Sequence, residues 1–184
     1  MNKELAFLMG ALGDGSLPNR LYRSDYTIEF EQKNKEWLET ISKIFRNYFG
    51  KTSKITKTKK GYYRLRVYSK KIYNQIKYHR SNLQQIKSKK LKKEFIRGFL
   101  DAEATVHKNR YVIVVYNKNK NLIAFSKDAL LQFKIKPSSN YLDKRSNTIS
   151  YSIYGKDQLK KFRENIGFTH PNKVKRLNKL LSNT

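Results

Sequence analysis

The sequence predicts an α+β protein of two pseudo-symmetric αββαββα half-repeats. They pack through the helix that opens each half, and each carries a twisted antiparallel sheet. Three observations predict this. Helical and strand patterns recur in the same order along the two halves. Phe30-Glu-Gln-Lys-Asn-Lys-Glu-Trp-Leu38 matches Val115-Tyr-Asn-Lys-Asn-Lys-Asn-Leu-Ile123 at an offset of 85, and Val67-Tyr-Ser-Lys70 matches Ile153-Tyr-Gly-Lys156 at an offset of 86. An apolar helix pattern ends at an acid in each half, Asp14 and then Glu103, at an offset of 89. Near-constant offsets in three separate segments point to internal duplication, with residues 1–88 as the first half and 89–184 as the second.

Each element has its own signal. Glu4 to Gly13 is apolar all round, so it is a fully buried helix, and Asp14-Gly15-Ser16 is a turn. Tyr26 to Glu31 alternates apolar and polar residues, the period of a half-buried strand. Trp37, Leu38, Ile41, Ile44, Phe45 and Tyr48 are spaced as one helix face, with Asn34 as N-cap and Gly50 as stop. Lys54 to Thr58 and Tyr62 to Tyr68 flank Lys59-Lys60-Gly61, a hairpin signal. Lys70 to Lys77 is amphipathic. The second half repeats the order: helix Leu91 to Ala102, strand Tyr111 to Tyr116, helix Asn119 to Phe133, a hairpin of Asn140 to Asp143 and Thr148 to Tyr154, and helix Lys156 to Ile166 stopping at Gly167. A short first strand near Arg20 to Arg23, and near Thr105 to His107, completes each repeat. The basic tail, Lys173 to Leu181, reads as a closing helix with Val174, Leu177, Leu180 and Leu181 on one side; a nucleic-acid-binding arm is the alternative.

Composition narrows the function. The chain has 41 Lys+Arg against 14 Asp+Glu, a formal net charge of +27 over 184 residues. Such an excess repels itself unless a polyanion is the partner. With 38% hydrophobic and 13% aromatic residues a core can be built, which a disordered basic tail could not do. Cysteine is absent, which removes disulfides, thiolate zinc sites and cysteine nucleophiles. The three histidines (His79, His107, His170) are too dispersed for an imidazole metal cage or a Ser-His triad. No apolar run approaches a membrane span, and the N-terminus does not read as a signal peptide. The expectation is a soluble, intracellular protein that binds nucleic acid.

The acids at the helix ends carry the chemistry. A helix C-terminus is negative, so a carboxylate there is disfavoured by about 0.3–1 kcal/mol. Ala6, Gly10 and Gly13 in the first helix, and Gly98 and Ala102 in the second, let two backbones approach closely. If these helices pack together, the carboxylates of Asp14 and Glu103 converge. A divalent cation resolves their repulsion, and oxygen-only ligands select Mg²⁺ or Mn²⁺. Metal held by carboxylates beside a basic groove is a recurring arrangement for phosphodiester cleavage. Taken alone, Asp14-Gly15 reads as a helix-stopping turn and Asp101 as a surface acid; the repeat pairing of Asp14 with Glu103 is what favours a site.

Phe7-Leu-Met-Gly-Ala-Leu-Gly-Asp-Gly15 and Ile96-Arg-Gly-Phe-Leu-Asp-Ala-Glu-Ala104 resemble the two signature helices of LAGLIDADG homing endonucleases, in the compact single-chain form with two motifs. The resemblance implies a monomeric, metal-dependent DNA endonuclease that cuts both strands of a long asymmetric target, leaves short 3′ overhangs, and is encoded in a mobile intron or intein. It implies metal ligation by Asp14 and Glu103, the eighth residue of each signature, with the adjoining Gly13 and Ala102. It further implies an amide and a base after the second strand of each half, met by Gln32 and Lys33 and by Asn117 and Lys118. Such a lysine polarises the attacking water or stabilises charge developing on phosphorus. Lys33 and Lys118 also read as solvated helix-entry lysines. Met9 and Ala104 stand where the family usually has glycine. A residue after a helix end often needs positive φ, which Ala tolerates poorly, so Ala104 predicts a displaced second metal site.

Strand alternation assigns the faces. Ile28, Phe30, Leu65, Val67, Ile113, Val115, Tyr151 and Ile153 point inward. Thr27, Glu29, Glu31, Arg64, Arg66 and Tyr68 in the first half point outward, as do Val114, Tyr116, Ser150, Ser152 and Tyr154 in the second. A twisted ribbon fits the major groove of double-stranded DNA. Arg64 and Arg66 suit guanine, and Val114 a thymine methyl. Arg20, Tyr22, Arg23, Lys54, Thr56, Lys57, Lys59, Lys60, Asn140, Lys144 and Arg145 suit phosphates and flanking bases. The second outer face is the more neutral, so the halves are expected to read different half-sites. Most of the thirteen tyrosines are expected to seal the core edges. Two other functions fit the same fold: an RNA maturase acting on intron RNA, and a DNA-binding protein that has lost cleavage.

Overall fold

The computed structural model describes residues 1–13, 17 and 26–182. The first half contains α1 (Lys3–Ala11), β1 (Thr27–Gln32), α2 (Lys35–Phe49), β2 (Lys54–Lys57), β3 (Tyr63–Tyr68) and α3 (Lys70–Ser81). A single 3₁₀ turn, Leu83–Gln85, leads to the second half: α4 (Lys89–Glu103), β4 (Ala104–Val106), β5 (Val112–Asn117), α5 (Lys120–Leu131), β6 (Tyr141–Asp143), β7 (Thr148–Tyr154), α6 (Lys156–Asn165) and α7 (Pro171–Ser182). The strand expected near Arg20 to Arg23 lies outside the described residues, whereas its second-half counterpart is β4.

Local chemistry explains the element ends. Asn34 and Asn119, equivalent in the repeat, cap α2 and α5: Trp37 N–H donates to Asn34 Oδ1 at 2.8 Å and Leu122 N–H to Asn119 Oδ1 at 3.2 Å. Gly50 ends α2 at φ 59°, a left-handed conformation that suits glycine. Helix α3 runs four residues beyond the expected Lys77, because Ile72, Tyr73 and Ile76 anchor it and the following turn buries Leu83. Helix α7 closes the core with Leu177, Leu180 and Leu181, so the tail is a packed helix.

The sheets are antiparallel, ordered β1-β3-β2 and β4-β5-β7-β6. Register places Ile28 against Val67 and Phe30 against Leu65 in the first. It places Ile113 against Ile153 and Val115 against Tyr151 in the second. All eight are buried, as alternation predicts. One core runs through both halves.

The α1–α4 contact joins the halves. A Cβ at Gly10 would stand 2.0 Å from the Phe95 carbonyl oxygen, and one at Gly98 2.2 Å from that of Phe7. The two backbones therefore meet at each other's glycine. Met9, one step from Gly10, is fully buried.

Asp101 is not a surface acid. It is fully buried and accepts from Thr169 N–H (3.1 Å), His170 N–H (3.1 Å), the Thr169 hydroxyl and Trp37 Nε1 (3.4 Å). Trp37 belongs to the first half and Asp101 to the second, so this carboxylate ties the halves and the α6–α7 connection together. Lys173 Nζ donates to the carbonyls of Leu100 and Asp101 at 2.9 and 2.6 Å. Burial pushes the Asp101 carboxyl up, and the Thr169, His170 and Lys173 contacts partly oppose that.

Two outcomes are expected. Gly98→Val should destabilise the protein by about 1–3 kcal/mol or more in urea unfolding, because the obstructing atoms are backbone; an unchanged midpoint would refute the close approach. His170 is pushed down to about 4 by burial first and then by Lys173. The unfolded chain therefore takes up a proton, from its ordinary 6.5 downward, that the folded chain refuses. Stability should fall as pH drops from about 6.5 to about 4. Asp101 acts in the opposite direction, so the diagnostic is a difference: His170→Gln should flatten this loss in melts across that window.

Candidate functional site

Close packing brings the C-terminal ends of α1 and α4 together. Glu103 ends α4 and lies against the residue after the α1 cap: a Cβ at Gly13 would fall 2.1 Å from Glu103 Oε1. Only glycine leaves room for the carboxylate there. Glu103 is buried at 9% exposure. A cavity of about 400 Å³ opens beside it, lined by Gly13, Arg80, Glu103, Tyr116, Asn117 and Lys118 among others. Three elements far apart in sequence thus place one carboxylate, two cations and an amide around a single space.

Arg80 was not foreseen from the sequence. Its Nη1 donates to the Leu12 carbonyl at 2.7 Å, capping the negative end of α1. Burial pulls its guanidinium down and the Glu103 charge pushes it back up. Lys173 does the equivalent work on α4. The negative helix ends are therefore partly countered by side chains, and a metal ion is not the sole source of positive charge there. The available signal for Arg80 was a basic residue in the last turn of an amphipathic helix, which many other lysines and arginines of this chain share.

Asn117 ends β5 and Lys118 follows it, and both line the cavity. The Asn119 N–H donates to Asn117 Oδ1 at 2.8 Å, which ties up the amide oxygen. In the first half the Lys33 N–H donates to Gln32 Oε1 at 2.8 Å, a matching arrangement. Lys33 Nζ sits 5.2 Å from the centre of the Tyr62 ring, and neither Gln32 nor Lys33 lines this cavity. Asp14, Arg20, Tyr22 and Arg23 lie outside the described residues. Ala104 is extended, at φ −94° and ψ 150°, because it begins β4. It needs no positive φ, and that reason for a displaced second site falls away.

The sheets present their other faces outward. On the first, a hollow of about 490 Å³ is lined by Lys54, Thr56, Arg66 and Tyr68, with Thr52 and Ser53 as additions to the sequence-based set. On the second, one of about 680 Å³ is lined by Tyr116, Arg145 and Ser150, with Tyr141, Ser146 and Thr148 as additions. Lys57, Asn140 and Lys144 are exposed, and Val114 and Ser152 are half-buried. Asn140 accepts from Lys127 Nζ at 2.8 Å. Tyr68, Tyr116 and Tyr154 stand exposed, as alternation predicts, and Tyr48, Tyr78 and Tyr141 are exposed rather than sealing core edges. Thr27 is 3% exposed. Alternation fixes the face a side chain leaves from, and a short threonine paired in register with Tyr68 does not reach past its neighbours. Arg64 and Arg66 face outward but are engaged: Arg64 Nη2 meets Glu31 at 2.6 Å, and Arg66 Nε meets Glu29 at 2.6 Å.

A model of the LAGLIDADG-like domain matches the chain twice, over residues 2–78 and 90–167. The chain belongs to the LAGLIDADG family. It is 30% identical to the homing endonuclease I-ApeI of Aeropyrum pernix, over 96% of this chain and 86% of that protein. Its fold matches a mesophilic variant of the homing endonuclease I-DmoI with a TM-score of 0.78 at 24% identity, covering 90% of this chain and 95% of that one. I-DmoI in complex with DNA and manganese gives 0.72 at 23% identity, covering 90% and 97%.

In this LAGLIDADG protein the second signature acid, Glu103, stands at the cavity. Among the described residues no group of three His, Asp or Glu side chains gathers to hold a metal, and no helix is long and apolar enough to cross a membrane. The donors that fit a divalent cation are oxygens, in keeping with the signature pattern: the Glu103 carboxylate, held where a Cβ at Gly13 would collide with it.

Arg80→Leu should lower the unfolding free energy by about 1.5–3 kcal/mol, the worth of a hydrogen bond to a charged group. Arg80→Lys should recover only part, because an ammonium does not reproduce the guanidinium's fixed, planar donor aimed at the Leu12 carbonyl. Denaturant curves at neutral pH measure both; a wild-type curve for Arg80→Leu would contradict the capping role.

Proposed function

We propose that the chain is a site-specific double-strand DNA endonuclease that acts as a monomer, with its two halves, 1–88 and 89–184, forming one unit. The supporting observation is the cavity at the paired helix ends, where Glu103, Arg80, Asn117 and Lys118 converge beside the outer face of the second sheet. The similarity to I-ApeI and the DNA-bound state of I-DmoI point the same way.

Glu103, with Asp14 and the backbone at Gly13 and Ala102, would hold Mg²⁺ or Mn²⁺. The ion, when bound, supplies Lewis-acid stabilisation of the phosphodiester's developing charge and a more acidic water. The rest of the work falls to side chains. Lys118, and Lys33 in the other half, stabilise negative charge on the phosphoryl oxygens. Asn117 and Gln32, whose side-chain oxygens accept from backbone N–H groups, are left with their NH₂ groups to donate to phosphate and position it. Arg80 holds the α1 end and sets a positive charge near Glu103. One strand is cut per half, leaving short 3′ overhangs on a long asymmetric target, in a gene carried by an intron or intein.

A second reading rests on one observation. Tyr116, Tyr141 and Tyr154 are exposed on the outer face of the second sheet, and single-stranded RNA is bound by stacking bases on such residues. A maturase acting on intron RNA would use them and would need no acid at Glu103.

Incubation with host DNA lacking the insertion, in Mg²⁺, should give discrete double-strand breaks. Asp14→Asn or Glu103→Gln should abolish cutting while DNA binding persists. Binding should weaken by about 10³ to 10⁵ between roughly 50 and 200 mM salt if six to ten phosphates are contacted. Full cutting by Glu103→Gln would refute the mechanism, and splicing supported equally by both variants would favour the maturase.

A further inference from the structure

The outer face of the first sheet carries a zigzag of charges. β1 and β3 place Glu29 opposite Arg66 and Glu31 opposite Arg64. Glu29 bridges both arginines: its Oε1 is 3.1 Å from Arg64 Nε and its Oε2 is 2.6 Å from Arg66 Nε. Glu31 Oε2 takes Arg64 through two nitrogens, Nε at 2.8 Å and Nη2 at 2.6 Å. All four side chains are partly exposed, from 17% for Glu29 to 39% for Arg66. This places two of the chain's fourteen acids on the face that the endonuclease reading assigns to DNA.

Carboxylates there repel phosphates and the acceptor atoms of guanine. They also hold the guanidinium groups away from indiscriminate phosphate binding. A guanidinium beside a carboxylate presents donors next to an acceptor. Across the major groove a G·C pair presents the complement: acceptors N7 and O6 on guanine, then the N4 donor on cytosine. An A·T pair has no such run of two acceptors followed by a donor. The pairs lie partly in solvent, where such bonds are weak enough to be rearranged by a matching ligand.

We propose that Glu29 and Glu31 are specificity-determining residues, which with Arg64 and Arg66 make a paired reader for G·C steps in one half-site and suppress binding to unrelated duplex. The inference rests on the DNA-endonuclease reading and extends it. The second sheet has no such ladder of paired arginines and carboxylates among its described strand residues: its outer positions include Val114, Tyr116, Tyr141, Asp143, Ser150, Ser152 and Tyr154. The requirement for G·C should therefore be confined to one half of the target.

The test is selection from a randomised duplex library by wild type and by Glu29→Gln/Glu31→Gln, with anisotropy on an unselected duplex at several salt concentrations. The variant should lose the G·C preference at the positions that wild type fixes, and drift towards adenine, which glutamine recognises. Its affinity for unselected duplex should rise on the order of tenfold, with the log–log salt slope steeper by about 2. Glu31→Gln alone leaves the Glu29 bridge and should give about half that steepening; it replaces the double variant if the latter melts below wild type. An unchanged motif and slope with a specific wild type would overturn the inference alone. A wild type with no sequence preference on duplex DNA would overturn both it and the endonuclease reading.

Discussion

The rest of the structure depends on two backbones touching where side chains are missing. Gly10 of α1 meets the Phe95 carbonyl, and Gly98 of α4 meets the Phe7 carbonyl. That mutual approach sets how closely the halves sit, and with it the distance between their C-terminal ends. The same logic repeats one turn on, where Gly13 leaves room for the Glu103 carboxylate. A single methyl group at any of the three positions would push apart what the cavity needs together. Met9 can replace the usual glycine because the neighbouring Gly10 makes the contact, while Met9 itself is packed in the core.

Bringing two helix C-termini together concentrates negative charge, and a basic chain answers it with its own cations. Arg80 caps α1 and Lys173 caps α4. The two are not equivalent. Arg80 faces the candidate site and feels Glu103, whereas Lys173 serves the buried Asp101 hub that joins Trp37, Thr169 and His170. Arg80 thus lies at the cavity, and Lys173 at the buried hub that holds the halves together. Asp101 is two residues from Glu103, yet helical geometry sends the two carboxylates to different surroundings.

How much of this could be read in the sequence follows the range of the interactions. Period-two alternation found the eight inward residues assigned on β1, β3, β5 and β7, because a strand's two faces are fixed locally, but it left Ala104, Val106 and Ile149, which also join the core, unassigned. Asn34 and Gly50 were legible because capping needs a particular side chain, or a particular φ, at one position. Glu103 was legible through the repeat. Arg80 and Asp101 were not, because their roles depend on partners about 70 residues away and on which face of a helix becomes buried. Thr27 was misread because alternation gives direction and not exposure. The glycine expected after Glu103 was unnecessary, because the chain enters β4 directly in extended form.

The two halves have kept the scaffold and diverged on the outer faces of the sheets. Inward positions pair aliphatic and aromatic residues in both sheets, and Asn caps begin the same helix in both halves. The outer positions share almost nothing. The first sheet sets arginines against glutamates, and the second offers serines, a valine and exposed tyrosines. Inward residues answer to a core common to both halves, so duplication conserves their pattern. Outward residues answer only to what lies against them. Two faces of such different chemistry cannot present the same pattern of donors and acceptors, so one symmetric ligand would satisfy at most one of them. Divergence on the outer faces accords with the asymmetric target proposed for the endonuclease.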